Sequence, residues 1–112
     1  MTSTYCPQRG DVVWLSFNPQ AGHEQAGHRP ALVLSPREYN HKVGLALFCP
    51  ITSQVKGYPF EVALPSNLPL SGVILSDQIK SLDWKSRKAG FCCKLPNATL
   101  QEVTAKLLAL IE

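Results

Sequence analysis

Up to Leu95, proline and glycine cut the apolar residues of this chain into pieces too short for an ordinary helix, so it must fold chiefly from short strands and turns. Val12-Val13-Trp14-Leu15-Ser16-Phe17 is rich in strand formers, follows the turn Arg9-Gly10-Asp11 and is stopped by Asn18-Pro19. Gln20 to His28 holds two glycines and nothing apolar larger than alanine, which predicts a mobile loop. Pro30 confines Arg29 to an extended conformation at the mouth of a second strand, Ala31 to Ser35, which Pro36 ends. A polar connection from Pro36 to Gly44 leads to a third strand, Leu45 to Cys49. Phe60 to Leu64, Gly72 to Ser76 and Ile79 to Trp84 read as further strands, and the basic stretch Lys85 to Leu95 bends at Gly90.

The exception comes last. Thr99 and Glu102 match a capping box, and Leu100, Val103, Leu107, Leu108 and Ile111 fall on one stripe of a helix of about three to four turns. The expected fold is mainly β: one domain over residues 1–112, an SH3-like or OB-like small barrel of five or more antiparallel strands with a C-terminal α-helix.

With 45% hydrophobic residues the chain can fill one modest core, while a charged fraction of only 17% leaves neutral surface for a partner, a second copy included. The net charge is +3, but Lys80, Lys85, Arg87, Lys88 and Lys94 face a single acid, Asp83. That stripe suits nucleic acid or an acidic partner protein, or else discourages edge-to-edge pairing of strands. Cys6, Cys49, Cys92 and Cys93 form no metal-ligand spacing and read as structural thiols. With no signal peptide and no apolar run able to span a bilayer, the expected compartment is the cytoplasm.

Glu24-Gln25-Ala26-Gly27-His28-Arg29-Pro30 gathers an acid, an amide, an imidazole and a guanidinium around one glycine, a mixture no hydrophobic core needs. It reads as an anion site with acid-base capacity or as a solvated loop before a strand. Two further polar sets flank strands: Thr52, Ser53 and Gln54 with Lys56, and Asp77 and Gln78 with Lys80. Cations and hydroxyls without a metal-ligand cluster suit a phosphodiester. RNA supplies its own nucleophile, the 2′-hydroxyl, and the protein need only stabilise the phosphorane and move protons. Arg29 and Thr52 are the candidate stabilisers, and Glu24 or His28 the proton carriers; His23 and His41 read as surface residues. Trp14 suits core or dimer packing, and Trp84, between Asp83 and Lys85, is expected to be partly exposed at an interface.

Gly10-Asp11-Val12-Val13-Trp14, the stretch Glu24 to Pro36, Lys56-Gly57-Tyr58-Pro59-Phe60-Glu61-Val62 and Asp77 to Trp84 together resemble the MazF/PemK family of toxin endoribonucleases from bacterial toxin–antitoxin systems. The resemblance implies a homodimer of SH3-like barrels and metal-independent, sequence-specific cleavage of single-stranded RNA, an mRNA interferase leaving 2′,3′-cyclic phosphate and 5′-hydroxyl ends, with no cofactor. It implies a catalytic pair in Arg29 and Thr52, assisted by Glu24. Gln25, His28, Ser53, Lys56, Tyr58, Asp77, Gln78 and Lys80 are the expected RNA-binding residues. It also implies a MazE-like antitoxin with an acidic disordered tail, and Trp14, Trp84, Lys85, Arg87 and Lys88 are the candidate antitoxin or dimer interface. Two other readings use the same fold: a non-catalytic module that binds RNA or an acidic peptide, and a gyrase-directed toxin.

Overall fold

The computed structural model describes residues 5–17 and 27–112. Glu24 and Gln25, with most of the loop expected to be mobile, lie outside the described residues. Seven strands and two helices follow in the order β1 (Asp11–Phe17), β2 (Gly27–Val33), α1 (Arg37–Val43), β3 (Ala46–Thr52), β4 (Glu61–Ala63), β5 (Val73–Leu75), β6 (Lys80–Leu82), β7 (Gly90–Lys94) and α2 (Asn97–Ile111). Every pairing is antiparallel, along the path β4-β5-β3-β2-β1-β7, with β6 branching from β3. Among the described residues this is an open sheet of seven strands with a C-terminal helix, compatible with the expected small barrel.

Strands β1 and β3 read as near-continuous apolar runs because both of their faces are covered. Val12, Leu32, Cys49 and Ile74 belong to one buried cluster, which Leu100, Val103 and Leu107 of α2 close. Their neighbours Val13, Val33 and Phe48 belong to a second cluster, closed by Trp84 and Tyr5. Asp11, 2% exposed, is matched at the sheet end: Tyr5 Oη donates to it, Gln8 N–H donates at 3.0 Å, and Lys94 Nζ bridges from the paired position on β7 at 2.8 Å.

Several expectations change. The expected connection from Pro36 to Gly44 contains α1, ended by Gly44 in the left-handed region (φ 82°), whose N–H donates to Asn40 O. Asn40 is fully buried. Its amide donates to Pro7 O and Ser35 O at 2.8 and 2.9 Å, and its Oδ1 accepts from Ser35 Oγ at 2.5 Å. The third strand does not stop at Cys49 but runs through Pro50 to Thr52. Pro50, without an N–H, sits where that edge of β3 changes partner from β6 to β5. The capping box does not form: Pro96 is the N-cap of α2, no side chain caps it, and Pro96 O accepts from Thr99 N and Leu100 N, both at 3.0 Å. Leu95 N–H, bonded to Gly10 O at 2.8 Å, sets where the helix starts. On the stripe, Leu108 and Ile111 are 40% and 70% exposed, so only its N-terminal part meets the core.

Candidate active site

Arg29 lies inside β2 rather than at its mouth, exposed, and pairs with Leu15 of β1; His28, also exposed, pairs with Ser16. Thr52 ends β3, half-buried, paired with Val73 of β5. The β2–β3 ladder pairs Val33 with Phe48, Leu32 with Cys49 and Ala31 with Pro50. The ladder stops there: beyond Pro50, β3 pairs with β5 through Ile51 and Thr52, while Arg29, two residues before Ala31, stays paired with β1. A guanidinium and a hydroxyl therefore leave neighbouring strands at one end of the sheet. Thr52 Oγ1 also accepts from Gln54 N–H at 3.1 Å, which turns the chain out of the strand. Gly72 holds the other side: a Cβ there would lie 2.3 Å from Thr52 O, and its φ is +130°. Only glycine permits that approach.

From Ser53 the chain runs exposed to Gly57, which has φ 84°, and returns at Glu61, whose carboxylate accepts from Lys56 N–H at 2.9 Å and Gly57 N–H at 2.8 Å. Tyr58 Oη donates to Asp77 Oδ1 at 2.9 Å. That bond, with lesser help from desolvation and the carboxylate's charge, raises the Tyr58 pKa and keeps the phenol protonated. Asp77 and Gln78 are exposed in the turn after β5, and Lys80 opens β6 opposite Phe48, further along β3 from Thr52. Among the residues expected to bind RNA, the structure thus joins Tyr58 directly to Asp77 and sets Ser53 and Lys56 on the loop leaving Thr52.

The basic turn meets the same sheet end from the other side. Ser16, the partner of His28, donates its N–H to Arg87 O at 2.7 Å, so Arg87 lies across β1 from His28. Lys85 and Lys88 are exposed, and Lys88 has φ 53°. Trp14 is half-buried, between Pro30 and Gly90. Trp84 corrects the sequence reading: it is 7% exposed, its Nε1–H donates to Asn40 O at 2.9 Å, and Lys85 Nζ lies 5.8 Å from its ring centroid. The indole closes the second core cluster and finds its polar partner inside. Sequence reasoning assigned no role to Glu61 or Gly72, because an acid opening a strand and a glycine before one are commonplace.

Residues 8–111 match the family described as the PemK-like, MazF-like toxin of type II toxin–antitoxin systems. The chain belongs to this family. Among MazF/PemK relatives, it is 50% identical over 111 residues to the endoribonuclease toxin MazF of Escherichia coli K12, covering 99% of both chains. The fold matches a MazE–MazF crystal structure from Deinococcus radiodurans with TM-score 0.92 and 56% identity, over 96% of this chain and 97% of that one. A crystal structure of MazF alone from the same organism matches with TM-score 0.86 and 56% identity, over 96% and 98%.

Proposed function

We propose that this protein is the toxin of a type II toxin–antitoxin pair and an endoribonuclease that cuts single-stranded RNA at short sequences in the cytoplasm without a metal ion. The observation that carries the reading is that Arg29 and Thr52 each lie two residues beyond the last β2–β3 pair, Ala31 with Pro50, at the end of the sheet where His28 is exposed. The near full-length likeness to a curated endoribonuclease toxin supports it.

In the reaction the 2′-hydroxyl oxygen attacks the adjacent phosphorus, the O2′–P bond forms and the P–O5′ bond breaks. The products are a 2′,3′-cyclic phosphate and a 5′-hydroxyl. Glu24 orients the 2′-hydroxyl and takes its proton. Arg29 holds the two non-bridging oxygens in the planar fork of its guanidinium and donates a hydrogen bond to the leaving 5′-oxygen, which takes its proton from solvent water while Glu24 keeps the one it removed. The Thr52 hydroxyl adds a donor to the phosphorane. Lys56, Tyr58, Gln25 and His28 take the role of binding the bases and backbone, assisted by Ser53, Asp77, Gln78 and Lys80.

Two copies form the active toxin. A MazE-like antitoxin lays its acidic tail on the basic turn of Lys85, Arg87 and Lys88, which borders an open hollow of ≈ 440 Å³ lined in part by His41, Asp83 and Lys85.

The test is incubation with a long unstructured RNA in EDTA, with the ends of the products mapped. Discrete cuts with cyclic phosphate ends are expected. Removing a transition-state donor of this kind costs about 10²–10³-fold in kcat, so Arg29→Ala is expected to lose at least that much. Equal cleavage by Arg29→Ala overturns the assignment. Intact parent RNA on two unrelated sequences, with salt-sensitive binding, points instead to a binding module.

A further inference from the structure

The loop leaving Thr52 is tied down at more points than a solvated surface loop requires. Glu61 accepts two consecutive backbone N–H groups, from Lys56 and Gly57. Lys106 of α2 donates to Pro59 O at 2.7 Å. Phe60 O accepts from both Ser76 N, at 3.0 Å, and Ser76 Oγ, at 2.5 Å. Ser76 is followed by Asp77, which receives the Tyr58 hydroxyl. The circuit runs from Tyr58 through Asp77 and Ser76 to Phe60 and closes on the loop itself, with Glu61 inside it and α2 bracing it from outside.

Charged acceptors and donors of this kind make stronger bonds than neutral pairs. Their effect here is to fix the backbone that presents Lys56 and Tyr58 before any ligand arrives. A loop already ordered avoids that entropy cost on binding, and it holds its side chains in one arrangement that favours one base sequence over others.

We infer that Glu61 is a positioning residue for RNA selection: by holding the N–H groups of Lys56 and Gly57, with Lys106 holding Pro59, it pre-orders the loop that reads the substrate. This rests on the ribonuclease reading above. The Glu61 carboxylate acts through the loop backbone, on the N–H groups of Lys56 and Gly57, so its effect falls on binding and choice of site rather than on the chemical step.

The experiment compares the parent, Glu61→Gln and Lys106→Met on one randomised single-stranded RNA pool, with cut sites sequenced and KM and kcat measured on a preferred site. The amide of Glu61→Gln keeps the shape but turns one acceptor into an N–H₂ group facing donors. The expected result is a KM raised about tenfold with kcat within about twofold, and cuts spread over sites the parent ignores. Lys106→Met is expected to move both readouts the same way by less. A folded Glu61→Gln with the parent's KM and cut map overturns the inference, as does a loss confined to kcat. Should Glu61→Gln fail to fold, Lys106→Met decides: the parent's map and KM in that variant overturn it. A parent that cuts RNA beside an inactive Arg29→Ala separates these outcomes from failure of the ribonuclease reading, which would remove this inference with it.

Discussion

Burial pushes the thiol of Cys49, wholly enclosed in the first core cluster, from 9.0 up to about 12, with the nearby Asp77 carboxylate adding to the rise. Desolvation first, then its neighbour Cys92, raises Cys93 to about 11, and burial and the bond to Asp11 raise Tyr5 as well. These groups are neutral in the folded protein where the unfolded chain would ionise them. Their contribution is therefore fully present below about pH 9 and is lost as the pH climbs through the raised values. The denaturant midpoint is expected to fall between pH 8 and pH 10.5, and to fall less steeply in Cys49→Ala. Equal slopes would show that Cys49 does not feel its enclosure. Single residues were unevenly legible in the sequence. Arg29 and Thr52 stood out because a guanidinium and a hydroxyl beside strands have no core use. Trp84 misled, since its flanking charges, Asp83 and Lys85, suggested exposure while the ring itself turns inward to Asn40. Glu61 was silent, because what distinguishes it is two backbone donors that only the folded loop brings to it.

At the scale of elements, β3 organises the site: one edge carries β2, the other carries β6 and then β5, and Thr52 is where it ends. Gly72 lets β5 approach that end. An alanine there takes on a left-handed φ and drives its Cβ into Thr52 O, and neither β5 nor β3 can yield without losing a ladder pairing. Gly72→Ala is therefore expected to cost about 2 kcal/mol or more in stability. In the proposed mechanism it also lowers kcat of the folded fraction about tenfold by displacing Thr52, since misplacement of about 1 Å can cost far more than that. Urea melts and single-turnover cleavage check the two parts separately, and a stable variant with unchanged kcat would show that Thr52 tolerates the shift. Strands β1 and β3 were legible as apolar runs, because both of their faces are covered, and β4 and β6 from rough apolar–polar alternation, because one face stays wet. Helix α1 was not. Its sequence, Arg-Glu-Tyr-Asn-His-Lys-Val, is short, carries no apolar stripe, and is held by the buried Asn40 and the Gly44 turn rather than by its own propensity. The capping box failed for a related reason: tertiary anchoring at Leu95 and Pro96 started α2 ahead of Thr99.

Across the whole molecule, a net charge of +3 is too small to steer a polyanion, so the arrangement of charge has to do it. The fold brings cations that are far apart in sequence to one sheet end, Arg29 on β2 and the turn of Lys85 to Lys88 docked on Ser16 of β1. In the proposed function one ridge serves RNA and an acidic antitoxin tail in turn, which would make inhibition a matter of occlusion. The two ligands should depend on the ridge differently. In the proposed function RNA cleavage uses Arg29 at its chemical end, whereas the antitoxin tail uses the exposed charges of Lys85 and Lys88. The double variant Lys85→Ala, Lys88→Ala is expected to weaken binding of an acidic antitoxin peptide about tenfold at low salt, with the difference shrinking as salt is raised past the point where the Debye length falls to a few ångströms. Its RNA cut positions are expected to match the parent's. Titration of the peptide by calorimetry across salt, beside a cut-site map, tests both halves. A drop of about 0.7 per phosphate in the salt dependence of RNA binding would instead show that the turn grips the RNA backbone as well. Unchanged peptide affinity would place the antitoxin on another face.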